Sequence, residues 1–588
     1  MRRRSFISIP AVAAVIPTSL PAALPDDTLL KAMRDELKRS LKKLQLENLE
    51  KPYFLSYRIV ETQTTGASAS FGALSSSTDF RRRILATDCR VGSYEMDNTN
   101  FYSARSAMSG VIRVQANFGL TLPLDDDYDE IRRQLWLSTD AGYKQALDDL
   151  AKKRAALENR TRTGAAIADL SKEEKTETVE NESPSLLTKT KSETLAKQLS
   201  ALFRDAKGID NSGVRIDSTN VLTRFVSSEG TEFWRNAPSI MLNWYAEAQA
   251  ADGMPITDVE SHYFNSANEI PVLEDLTKKI RAFQKRLLDL SAAKTLTRYA
   301  GPVIFEGQAA AELFAQGFAT ALLGTPRIVV DDQRFEGIFG ANTGVFSDKI
   351  STRVLPSHMR LTDDPTRPNL AGTYKVDEDG VKTKPTIVVQ GGILKRLLNT
   401  RSLVPGVTDS TGNRRGAGLA PSNLILESSK AVPAAQLKQD LLQIVKDRNL
   451  EFGVMIRKIA NPADQFAKPR GRMVIFTGGS AGQALQLSPV IEAVKVFPDG
   501  REELLRNIEI SGFNTSAFRD LSGVSQETIT YTAQFRNPRM SPLMGGMIMQ
   551  GRVLATYIVP ALLFEDVTLQ LPAGEVPKLP FIAHPSFA

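Results

Sequence analysis

Several long runs of this chain alternate with a period of two, and that pattern commits them to strand pairing. The runs YFLSYRIVET, GASASFGAL, RRRILATDCRVGSYEMDN and SGVIRVQANFG place apolar and polar residues on opposite faces of a strand, as an antiparallel sheet covered on one side requires. RIDSTNVLTRFVSSEGTEFWRNAPSIMLNWYAEAQAADGM reads as a hairpin turning at Ser228-Glu229-Gly230. After Gly324 the turn signals recur at Glu378-Asp379-Gly380, Gly391-Gly392, Gly478-Gly479 and Asp499-Gly500, between runs such as PTIVVQ, RMVIFTG and IEAVKVF.

Helical spacing is confined to a few segments. Asp26 to Gln45 places Leu29, Met33, Leu37, Leu41 and Leu44 on one face, with Asp27 positioned to cap it. Asp125 to Arg160, Leu195 to Asp205, Leu273 to Ala293 and Pro433 to Arg448 also read as helices. Ser171 to Glu193, SKEEKTETVENESPSLLTKTKSE, reads as a solvated linker between helices. A chain of 588 residues exceeds what one core supports. The expectation is an α+β protein: an N-terminal α/β domain over 26–295 with a charged helical insertion at about 125–195, then a larger, mostly antiparallel β domain over 296–588.

The N-terminal MRRRSFISIPAVAAVIPTSLPAALPDD has a cationic start, an apolar run and small residues at Ala22 and Ala23. Residues 1–25 therefore read as a signal peptide, with Arg3-Arg4-Ser5-Phe6-Ile7 similar to a twin-arginine signal. Export to the periplasm is expected; the alternative is a disordered basic tail on a cytoplasmic protein. No other segment is apolar enough to span a bilayer. The formal charge of +6 is small for this length, and no basic stripe interleaved with aromatics points to nucleic acid.

Chemistry-bearing residues are sparse. The single cysteine, Cys89, excludes an internal disulfide and any thiolate cluster. The three histidines, His262, His358 and His584, are far apart in sequence, and no G-x-S-x-G turn accompanies them. Carboxylates suited to a hard cation occur at Asp363-Asp364 and at Asp377, Glu378 and Asp379, in turn contexts where Asp also serves the backbone. Thr477 to Gly482 has the glycines of an anion-binding nest but no Lys, and reads as a turn. Gly301 to Gly324, GPVIFEGQAAAELFAQGFATALLG, reads as a buried strand, a glycine and an amphipathic helix, with Leu313, Phe314, Phe318 and Leu322 as core.

Five blocks, in order, resemble the TldD/PmbA family, known as modulators of DNA gyrase and as metallopeptidase-related. They are Ser227-Ser228-Glu229-Gly230; Gly301-Pro302-Val303-Ile304-Phe305 with its Ala-rich helix; Asp377-Glu378-Asp379-Gly380 followed by IVVQGGILKRLLNTR to Arg401; Thr411-Gly412-Asn413-Arg414-Arg415; and Pro421-Ser422-Asn423-Leu424. The resemblance implies a two-domain subunit that dimerises around an enclosed cleft. There a TldD-type subunit cuts unfolded peptides with a metal held by His-Glu-x-x-x-His and a later cysteine, whereas a PmbA-type partner lacks the motif. In that register this chain carries Gly307, Gln308 and Glu312. Glycine has no ligand atom and an amide is no general base near neutral pH, so no catalytic site and no cofactor is expected here, with zinc only in a catalytic partner.

The leading expectation is a non-catalytic PmbA-type subunit, in a homodimer or a heterodimer with a TldD-type subunit, that shapes a cleft for unfolded peptides. An extended peptide would bind there by adding a strand. The alternatives are an active metallopeptidase with a relocated site drawing on His262, His358 and Glu312, or a homo-oligomeric envelope scaffold.

Overall fold

The computed structural model describes residues 24–103, 119–158, 167–181, 185–332, 334, 344–416, 418–463, 485, 487–535 and 553–572. Residues 1–23 of the segment read as a signal peptide, nearly all of SGVIRVQANFG, RMVIFTG with Gly478-Gly479 and the turn read over Thr477–Gly482, and His584 lie outside them. The fold is α+β, built around two large sheets.

Helix α1 (Thr28–Lys43) starts where Asp27 accepts the Leu30 N–H, and buries Leu29, Leu30, Met33 and Leu37 against the first sheet. Two of the runs read separately, YFLSYRIVET and GASASFGAL, belong largely to one strand, β1 (Pro52–Ser70), which pairs antiparallel with β2 (Ala73–Val91). The run through Cys89 stops as a strand at Val91, because Gly92 takes a positive φ of 100° and Ser93 N–H turns back to Met96. Helix α2 (Tyr128–Glu158) packs Ile131, Leu135, Tyr143, Ala146 and Leu150 into the same core as α1.

The linker expected over 171–193 is instead part of the architecture. Its β-branched TETVE core forms strand β3 (Glu177–Asn181), and helix α3 begins at Lys189 with Thr188 as its cap. A polar segment satisfies its backbone at a sheet edge without burying a hydrophobic face, which is why composition concealed it. Strands β4 (Asn211–Ser227) and β5 (Glu232–Gln249) form the hairpin expected at Ser228-Glu229-Gly230. Strand β5 also pairs with β3 in parallel and with β6 (Pro255–Phe264) antiparallel, and α4 (Leu273–Ala292) closes this side with Leu276, Ile280, Phe283 and Leu287.

The second sheet is mostly antiparallel but mixed. Strand β7 (Arg298–Phe305) leads into helix α5 (Gln308–Gly317). Then come β8 (Met359–Asp363), β9 (Thr386–Gln390), β10 (Asn423–Ser428), helix α6 (Ala434–Asp447), β11 (Gly453–Ile459), β12 (Val490–Val496), β13 (Glu502–Arg506), β14 (Gly523–Gln534) and β15 (Leu554–Gln570). Among them, β7 with β11 and β10 with β15 are parallel neighbours. Among the described residues no helix is long and apolar enough to cross a membrane.

The sheets are joined by buried charge. Arg401, after β9, forks onto Glu229 at the tip of the β4–β5 hairpin with N–O distances of 2.6 and 2.9 Å, and also donates to the Ser171 carbonyl. Arg58 and Arg235 hold Glu378, while Gly380, at φ 80°, sits so close to Thr231 that a Cβ there would lie 2.6 Å from its methyl group. Two of the family-like blocks, Ser-Glu-Gly and Asp-Glu-Asp-Gly, thus meet across the seam between the sheets. Removing one partner of a buried ion pair strands the other, at a cost of about 3–5 kcal/mol. Arg401→Ala is therefore expected to lose stability on that scale in equilibrium urea unfolding, and a loss below about 1 kcal/mol would show the clamp to be dispensable.

Candidate functional site

Strand β7 pairs with β11 only through Val303–Phe305 against Val454–Ile456, and then leaves the sheet at Gly307. This glycine has φ 56° and ψ −132°, a region that side chains with a Cβ avoid, although nothing lies within 4 Å of where a Cβ would stand. Helix α5 then runs through the core, burying Ala309, Ala310, Ala311, Leu313 and Phe314. Phe314, Phe318 and Phe518 pack ring against ring at 5.1–6.3 Å, so Leu313, Phe314, Phe318 and Leu322 are core, as expected.

One polar row remains on α5: Gln308, Glu312 and Gln316, spaced four apart and hence on one face. Gln308 Nε2 donates to the Ile459 carbonyl at 2.7 Å, and its Oε1 accepts the Ile459 N–H at 3.0 Å. The side-chain amide thus replaces the strand that β7 ceases to provide. Glu312 Oε1 accepts from Tyr531 at 2.6 Å and Asn461 at 2.7 Å, and its Oε2 accepts from Gln316 at 2.8 Å. Gln316 also bonds the Ala460 carbonyl and the Ser488 N–H. The row sews α5 to the end of β11.

Beside it lies a cleft of about 420 Å³, lined by β6 from Thr257 to His262 and by Arg286, Gln308, Lys458, Glu492 and Tyr531. Its walls are charged but internally matched. Arg286 bridges Asp258 and Glu260 at 2.6 and 2.7 Å, and Lys458 meets Asp258 at 2.5 Å. Burial alone would raise Glu260, but His262, Lys458 and Arg286 outweigh it and hold the carboxyl at about 2. Burial pushes Glu492 upward, opposed by Arg286.

The sequence-derived candidates separate in space. His262 reaches the cleft, its ring tilted 40° to that of Trp244 at 4.7 Å, with its Nε2 3.7 Å from Glu260, beyond hydrogen-bond distance. His358 does not line the cleft; its Nδ1 contacts Ser428 at 2.8 Å, and burial and Lys430 lower its pKa. Cys89 lies in the core of the first sheet, where burial and Asp88 push its thiol up to about 12, a poor setting for a nucleophile. Asp363 is buried on the Asn413 amide and the Ser422 N–H, and Asp364 caps Thr366.

Asp377, Glu378 and Asp379 have divergent tasks. Asp377 accepts the N–H groups of Asp379, Val381 and Arg414, and burial and the neighbouring Asp379 push its pKa up. Glu378 turns to Arg58 and Arg235. Among the described residues no three His, Cys, Asp or Glu converge as a metal site would require. A zinc site on α5 does not fit the residues present: Gly307 brings no ligand atom, and Gln308 and Glu312 are bound into the fold. Sequence reasoning missed Asp258, Glu260, Arg286, Lys458, Asn461 and Tyr531. The available signal was T-D-V-E-S-H, whose Asp258, Glu260 and His262 share one strand face.

A two-sheet protein with a helix buried beside an inter-sheet cleft is the class these features define. Residues 298–462 match the family model for the PmbA/TldA metallopeptidase C-terminal domain. A metalloprotease of Methanocaldococcus jannaschii is 32% identical over 107 residues, 18% of this chain and 24% of its own length. A metalloprotease of Archaeoglobus fulgidus is 28% identical over 75 residues, 13% of this chain and 17% of its own. The chain thus aligns with about a quarter or less of these curated relatives. Among solved structures, TldE from Thermococcus kodakarensis superposes with a TM-score of 0.54 at 14% identity, covering 92% of this chain and 99% of that one. A Bacteroides thetaiotaomicron protein assigned as a modulator of DNA gyrase gives 0.58 at 11% identity, covering 92% and 98%. These likenesses establish the fold. Residues 298–462 thus resemble the C-terminal domain of the PmbA/TldA metallopeptidases, and the fold is the one that TldE shows.

Two outcomes follow from this geometry. Gly307→Ala is expected to cost about 1–3 kcal/mol in urea unfolding although no atom obstructs the new methyl, because the strain lies in φ and ψ; a neutral result would contradict it. Glu260 sits below its unfolded value of about 4.3, so its contribution is complete above that pH and is lost as pH falls toward 2. Glu260→Gln should flatten the acid limb of the stability profile in that window, and an unchanged limb would contradict the assignment.

Proposed function

We propose that this chain is a non-catalytic, TldE/PmbA-type subunit of a TldD/PmbA-like peptidase assembly, and that its cleft receives unfolded peptide. One observation supports the reading: Gln308 and Glu312, two of the positions at which the resemblance places the metal motif, are bonded to Ile459, Asn461 and Tyr531. The partner is a TldD-type subunit bearing His-Glu-x-x-x-His, and the zinc belongs to that subunit. The division into domains at 26–295 and 296–588, and export directed by residues 1–25, are parts of the same proposal.

Within the cleft, β6 offers an edge for an extended chain. Among the described residues β6 pairs only with β5, and its other side faces the cavity. His262 favours a second reading, a relocated peptidase site, because it brings an imidazole to that cavity. It stands there without His358.

The test is hydrolysis of an unfolded protein such as reduced, alkylated casein by the purified chain, alone and co-expressed with a TldD-type subunit. No turnover is expected alone, and turnover is expected from the pair. Turnover by this chain alone that His262→Ala abolishes would replace this reading with the relocated site.

A further inference from the structure

The exposed edge of β6 is closed by a side chain that imitates a ligand. Val259 and Tyr245 are direct partners across β5 and β6. The Val259 N–H bonds Asp258 Oδ1 at 2.7 Å, and its carbonyl accepts from Lys458 Nζ at 2.8 Å. Both backbone groups therefore point away from β5, as in a non-hydrogen-bonded antiparallel pair, and the strand alternation turns those of Thr257 and Ser261 to the same side. A peptide strand adding to β6 needs the Val259 groups that Asp258 and Lys458 now hold.

Lys458 also has an unusual setting for a lysine. It is 9% exposed, its ammonium lies 2.5 Å from Asp258 Oδ1, and the Phe283 ring is 6.0 Å away. Carboxylate, carbonyl and ring face together form a pocket for a primary ammonium at the rim of a cavity with room for more chain. Asp258 does not depend on Lys458 for compensation, since Arg286 holds its other oxygen at 2.6 Å. The lysine can leave without stranding a charge.

Resting on the peptide-cleft reading above, we infer that the Asp258–Val259 corner is an ammonium subsite filled by Lys458 in the free protein. The cleft selects peptides that present a primary amine, from a lysine side chain or a free N-terminus, which displaces Lys458 and seats the rest of the peptide in the cavity beside β6. A tethered competitor lowers the apparent affinity by the fraction of molecules in which it occupies the subsite.

Three C-terminally labelled peptides of one extended sequence test this by fluorescence anisotropy: N-acetylated with one lysine, lysine-free with a free N-terminus, and N-acetylated without lysine. Lys458→Met should bind one or both amine-bearing peptides about tenfold or more tighter than the unsubstituted chain does, and the third peptide equally weakly. Which of the first two gains identifies the source of the amine. Asp258→Asn should abolish the preference, and thermal melts followed by circular dichroism confirm that both variants fold. Binding that Lys458→Met leaves unchanged, or tightens equally for all three peptides, overturns the ammonium subsite and leaves the cleft reading standing. Failure of every peptide to bind both proteins overturns the two together.

Discussion

The amide of Gln308, bonded to both backbone groups of Ile459, is the contact on which the rest of the cleft depends. Strand β7 must leave the sheet to become α5, and its departure leaves the end of β11 without a strand partner on that side, at the wall of the cleft. An unpaired backbone group there costs about 1–3 kcal/mol. Gln308 removes two such groups at once, Gln316 does the same for the Ala460 carbonyl and the Ser488 N–H, and Glu312 accepts from the Asn461 side chain. A glutamate at position 308 would offer the Ile459 carbonyl an acceptor instead of a donor. The side chains that brace this turn are therefore incompatible with those that would hold and activate zinc.

The same economy of partners runs through the seam between the sheets. Arg401 on Glu229, Arg235 on Glu378, and Arg286 and Lys458 on Asp258 each place a cation from one sheet or its helices against an anion from another element. Paired in this way, the charges keep the two sheets in one arrangement at low dielectric, where a single unpaired member is costly. The cleft inherits its shape from these pairs, and its acidic and basic walls are balanced before any ligand enters.

Much of this was legible in the chain and some was not. Period-two runs and turn glycines marked the two β-rich halves, and the 3.6-residue spacing marked α1, α2, α4 and α6, because each buries a continuous apolar face. Strand β3 escaped because Glu177–Asn181 lies at an edge and its polar composition resembles a loop. The resemblance drew attention to Gly307, Gln308 and Glu312, but the bonds that Gln308 and Glu312 make were not legible, since Ile459, Asn461 and Tyr531 are about 150 to 220 positions away. Lys458 and Asp258 are likewise 200 positions apart. No local pattern announces a contact formed only when two sheets close on each other.

Anomalous diffraction at the zinc edge, from crystals grown in excess zinc, tests most directly whether α5 has exchanged metal binding for bracing. The expected map has no peak within bonding distance, about 2.0–2.3 Å, of Gln308, Glu312 or His262. A fully occupied peak there, with Gln308 swung away from Ile459, would contradict it.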